Sequence, residues 1–143
     1  MSESSAVPAP TTQGRTPRVV VTTMAVGLVL ALVVVVVGNT NLSDGESGGL
    51  WPGTVTGVGC AVLAAVLYWL VRDRWQGSVR ATLALAIVTV LTLAVFWSGA
   101  PLVLAGATWA AADGTPAKSR AVLAARVLAA VAAVLALVVT FVQ

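Results

Sequence analysis

Inside the apolar runs of this chain, the one charged side chain is Arg126, and the other groups of note are Cys60, Tyr68 near the end of its run, and threonines, among them Thr82, Thr89 and Thr92. General acid or base work needs His, Asp, Glu, Lys, Tyr or Cys set in a pocket with a tuned pKa. Histidine is absent, and the carboxylates of Glu3, Asp44, Glu46, Asp73 and Asp113 all fall in the N-terminal tail or between apolar runs. A metal centre needs clustered Cys, His or carboxylate ligands, and one cysteine within an apolar run can neither staple a fold nor hold zinc. A phosphate-cradling GxxxxGK[ST] loop is missing as well. The expectation is a protein that is not an enzyme, with no catalytic residue, no cofactor and no metal.

Arg126 is the exception that needs an account. A charge at the centre of a membrane helix costs about 2.5 to 3.5 kcal/mol on insertion scales. Arg126 lies only about 9 Å along a helix from Arg120, so its long stem can carry the guanidinium back to the interface. It is expected to snorkel in this way or to pair with Asp113 across the intervening loop, with contact to an anionic lipid, a substrate or a partner as the functional alternative. The threonines are expected to make the bland choice of bonding a carbonyl one turn back rather than lining a polar groove.

The elements that position these residues follow from composition. The chain is 59% hydrophobic and 9% charged, where a soluble domain carries roughly 25% charged residues. Net charge is +3 and the pI is about 10.0. Arg15, Arg18, Arg72, Arg74 and Arg80 flank apolar runs, however, so they read as topology signals rather than as a nucleic-acid face. The fold class is all-α, a polytopic transmembrane bundle with five hydrophobic segments at about 19–37, 50–71, 81–97, 101–112 and 120–142. Residues 1–18 lack the apolar content to fold and form a disordered cytoplasmic tail ahead of a transmembrane domain over 19–143. The first segment is too long for the apolar region of a cleaved signal peptide and lacks a small-residue cleavage site, so it is expected to remain as an anchor.

Orientation comes from the loops. Residues 38–49 carry only the charges of Asp44 and Glu46 and belong outside; the loop from Arg72 to Arg80 carries three arginines and belongs inside, which puts the N-terminus in the cytoplasm. Asn41-Leu42-Ser43 fits a glycosylation sequon that matters only in a eukaryotic secretory route. Ser98-Gly99-Ala100-Pro101 interrupts the apolar stretch that follows. Either the chain turns here at the outer face and Pro101 opens a short fourth helix, or four spans form with the third helix kinked near Pro101. The short-helix arrangement is preferred because it returns Lys118 and Arg120 to the inside. The short helix then needs protein cover or a thinned bilayer.

In lipid, helices associate through close backbone approach rather than through hydrophobic gain. Gly53, Gly57, Ala61 and Ala65 recur every four residues on the second segment, and Ala121, Ala125, Ala129 and Ala133 do so on the last. Both faces are expected to be helix-packing surfaces, within the bundle first and against a second copy or another membrane protein otherwise. The stretch Ala94-Val95-Phe96-Trp97-Ser98-Gly99-Ala100-Pro101-Leu102-Val103-Leu104, with its Ala-rich continuation, basic loop and final Ala/Val span, resembles small multi-pass membrane proteins of unknown function from actinobacteria. Seven arginines against one lysine fit such a genome. The resemblance implies a plasma-membrane protein and carries over no functional residue.

The resulting expectation is a small integral membrane protein without catalytic chemistry, an accessory or scaffold component acting by helix packing in the plasma membrane. Its partners would be the lipid bilayer and another membrane protein or itself as a homo-oligomer, and not nucleic acid. The alternative is a transporter or channel subunit, weakened by the missing intramembrane carboxylate and by a single helix break without a matching repeat.

Overall fold

The computed structural model describes residues 17–42, 50–113, 115 and 119–142. The tail over 1–16, the loop over 43–49 with the last sequon residue, and Lys118 lie outside them. Every element is helical: α1 (Pro17–Leu42), α2 (Leu50–Leu70) continued by a π-helical turn over Val71–Trp75, α3 (Val79–Leu91) continued by a 3₁₀ segment over Thr92–Ser98, α4 (Ala100–Ala112) and α5 (Arg120–Val142). Three stretches are long and apolar enough to cross a membrane: Arg18–Asn39, Pro52–Trp75 and Arg120–Val142. The helices of α3 and α4 have 13 residues each, about 20 Å at 1.5 Å per residue, which is short of a hydrocarbon core of about 30 Å.

α4 is the axis of the molecule and touches all four other helices. Ten of its 13 residues are buried, from Pro101 to Ala112, with Trp109 exposed. It runs antiparallel to α1, and the two backbones come close through glycine. A Cβ on Gly27 would stand 2.8 Å from the Leu102 carbonyl oxygen, and one on Gly106 would stand 2.9 Å from that of Thr23. It also runs antiparallel to α3, where the Thr89 and Thr108 hydroxyl oxygens are 3.4 Å apart and the Gly77 amide donates to the Ala111 carbonyl at 3.0 Å. α5 starts beside the end of α4, and α2 packs chiefly on α1.

The chain therefore turns between α3 and α4, which excludes a single kinked helix through Pro101. Gly99 adopts the left-handed conformation at φ 71° and forms the N-cap, with Pro101 in the first turn of α4. Two expectations need correction. The third helix does not continue to Trp97: it stops at Leu91, and the 3₁₀ segment leaves helical geometry at Val95 (φ −121°, ψ 43°). That break lets the chain cross sideways over the start of α4, where the segment meets α1, α2, α4 and α5. The turn is also not level with the end of the bundle where α1 finishes and α2 begins. A Cβ on Gly99 would lie 2.8 Å from the Ala31 carbonyl oxygen, and Cys60 Sγ donates to the Ser98 carbonyl at 2.8 Å. Ala31 lies eight residues before Asn39 and Cys60 eight after Pro52, so the hairpin tip sits about 12 Å short of those ends.

Gly27→Ala and Gly106→Ala should each push α1 and α4 apart and cost about 1 to 3 kcal/mol. Gly99→Ala adds a left-handed backbone penalty to the same clash. Gly38 and Gly59 have no atom within 4 Å of an added Cβ, so their alanine variants should change stability by no more than about 0.5 kcal/mol. Unfolding of the purified variants in lipid nanodiscs checks the order.

Candidate functional site

The basic side chains gather at one end of the bundle. The antiparallel pairing of α1 with α4, the Gly77 to Ala111 bond and the contact of α5 with Ala112 bring Arg18, Arg72, Arg74, Arg80, Arg120 and Arg126 to the same end. The opposite end, where α1 finishes and α2 begins, holds no basic side chain among the described residues.

At the basic end α4 stops inside the protein, so its last carbonyls must find donors without bulk water. The Asp113 amide donates to Trp109 and Ala110, and the Gly77 amide to Ala111. Ala112 accepts from the Thr115 amide at 3.2 Å, the Thr115 hydroxyl at 2.6 Å and Arg126 Nη2 at 3.2 Å. A cation at a helix C-terminus is also favoured by the helix dipole. The Arg126 guanidinium carbon stands 5.5 Å from the centroid of the Trp109 ring, within cation–π range. Its Nε is buried and has no hydrogen-bond partner among the described residues. Arg126 is thus a half-buried cation anchored at the end of α4.

Above Trp109 a groove of about 260 Å³ runs between α1 and α5, floored by α4. Thr22, Val26 and Leu30 form one wall, Ala130 and Ala133 the other, and Leu102, Gly106 and Trp109 the floor. The hydroxyls of Thr22 and Thr23 turn back to the carbonyls of Arg18 and Val19, so the groove surface is apolar. A second hollow, of about 440 Å³, lies between the π-helical turn and α3, beside Trp75, Ser78 and Arg80. No cluster of three or more His, Cys, Asp or Glu that could hold a metal ion occurs among the described residues.

The small-residue faces divide. On α5, Ala125 and Ala129 are buried, while Ala121 and Ala133 are half-buried. On α2, Gly53 faces the Asn39 side chain and Gly57 lies against Leu32, but Ala61 and Ala65 are exposed on the outside of the bundle. The face that α2 turns inward is instead Cys60, Ala64 and Leu67, continued by Val71 of the π-helical turn. Thr82, Thr89 and Thr92 donate to the carbonyls of Ser78, Leu85 and Thr89. The close approach of α1 to α4 at Gly27 and Gly106 is not among the packing faces expected from the sequence. Its signal was present in Thr23, Gly27 and Ala31, small residues spaced by four on α1. A further spacing, GxSxG at Gly45-Glu46-Ser47-Gly48-Gly49, lies in the loop before α2, outside the described residues. A nucleophile elbow requires a histidine base and the chain has none.

Removing the guanidinium with Arg126→Ala takes a charged donor from the Ala112 carbonyl and the cation from Trp109. A cycle with Trp109→Leu, read from unfolding in nanodiscs, should give a coupling of about 0.5 to 2 kcal/mol between the two residues. The chain matches no protein-family model, no curated protein and no solved structure.

Proposed function

We propose that this chain is a small integral protein of the cytoplasmic membrane that works through helix packing, as an accessory or scaffold component rather than as a catalyst. The observation that carries this reading is the outward face of α2. Ala61 and Ala65, four residues apart and so on one side of the helix, are exposed there beside Val58 and Val62. Small residues on an apolar surface let another helix approach closely, and interhelical packing in lipid depends on such approach.

Orientation in this proposal follows from the basic end, which the positive-inside rule assigns to the cytoplasm. α1, α2 and α5 then cross the bilayer, while α3 and α4 enter from the inside and return as a half-depth hairpin. The N-terminus lies inside and the end of α5 outside. A hairpin of this kind also occurs where transporters and channels line a polar path, which is the observation favouring a transporter or channel subunit. Here the buried hydroxyls of Thr82, Thr89 and Thr108 all turn back to their own helices, and this favours packing over conduction.

A membrane-impermeant thiol reagent should label Ser119→Cys, in a Cys60→Ser background, in inverted vesicles and not in intact cells. The reverse pattern contradicts the orientation. For function, the tagged protein purified gently from its own membrane should carry a stoichiometric partner or a second copy. Ala61→Trp with Ala65→Trp should release it while leaving the thermal midpoint of the chain itself within about 2 °C, since neither site is inside the bundle. Association that survives both substitutions refutes the α2 face as the packing surface.

A further inference from the structure

We infer that the groove between α1 and α5 is a binding site for one anionic glycerophospholipid of the leaflet at the basic end. Three features select this occupant. The groove is apolar along Val26, Leu30, Ala130 and Ala133, as an acyl chain requires. It is polarised, because each wall is continued by an arginine one helical turn toward the basic end: Arg18 four residues before Thr22, and Arg126 four before Ala130. The cation is held in place but not neutralised by the contacts that hold it. Arg126 donates through Nη2 to the neutral carbonyl of Ala112 and stacks near the neutral ring of Trp109. A guanidinium has five N–H donors and takes phosphate readily. A chain lying in the groove sets a phosphodiester beside Arg18 and Arg126, with Trp109 between head and tail at the depth that indole rings favour.

The inference rests on the membrane placement proposed above and is independent of the accessory role. Its test uses the full chain in mixed micelles containing equal phosphatidylglycerol and phosphatidylcholine, with the lipids retained on the released protein counted by native mass spectrometry. Phosphatidylglycerol should be retained in preference by about fivefold or more, the scale of one or two basic residues at a lipid surface. Arg126→Gln should abolish most of that preference, Arg126→Lys should keep part of it, and Ala130→Phe should displace both lipids by filling the groove. Folding of each variant is confirmed by its unfolding midpoint. Equal retention of the two lipids, or a preference unchanged in Arg126→Gln, overturns the site. If the preference is absent while Ser119→Cys is still labelled only from the inside, the lipid site falls and the orientation stands.

Discussion

The structure depends on one constraint: a helix too short to cross the bilayer ends at both termini within protein, and every backbone group exposed by those ends has to be satisfied there. α4 meets the constraint at both termini. At its start, the Ala100 amide donates to the Ser98 hydroxyl, Pro101 has no amide to satisfy, and the amides of Leu102 and Val103 donate to the Gly99 carbonyl. At its end, the four last carbonyls accept from Asp113, Gly77, Thr115 and Arg126. In hydrocarbon an unsatisfied group costs several kcal/mol. Gly77 and Arg126 are therefore parts of a single solution with Gly99 and Pro101, although they lie 22 and 25 residues from that turn in sequence.

The other elements are arranged around that solution. A buried helix brings no hydrophobic gain over lipid, so α4 is held by contact, and glycine at positions 27 and 106 allows the backbones of α1 and α4 to meet. α3 supplies the antiparallel partner: Thr89 of α3 and Thr108 of α4 each donate to a carbonyl one turn back, and their hydroxyl oxygens meet across the seam at 3.4 Å. The sideways 3₁₀ segment covers the start of α4, and Cys60 of α2 binds the carbonyl at the tip. Arg126 combines two demands, capping α4 and placing a cation where the α1–α5 groove opens toward the basic end.

Much of this was legible from residue order. Uncharged runs gave the five helices, Gly99 and Pro101 marked the turn and the start of α4, and the arginines marked one end. The depth of the tip was not legible, since it depends on which level of α1 meets Gly99, and that is set by a three-dimensional fit between Ala31, Gly99 and Cys60. The early end of α3 at Leu91 was hidden because Thr92 to Trp97 is as apolar as the helix before it. On α2 the spacing of four identified small residues correctly, but periodicity states only that they share a face. Whether that face points inward depends on neighbours, and here Cys60, Ala64 and Leu67 take the inner side.

The proposed placement makes α3 and α4 a hairpin whose tip lies within the hydrocarbon. The most direct measurement places a nitroxide on Ala94→Cys, an exposed position in the sideways segment, in a Cys60→Ser background, and compares its collisions with oxygen and with a water-soluble nickel chelate in lipid bilayers. A tip at that depth gives strong broadening by oxygen and little by the chelate, as for a site deep in the acyl chains. Collision with the chelate at the level found for headgroup positions would put the turn at the surface and contradict the placement.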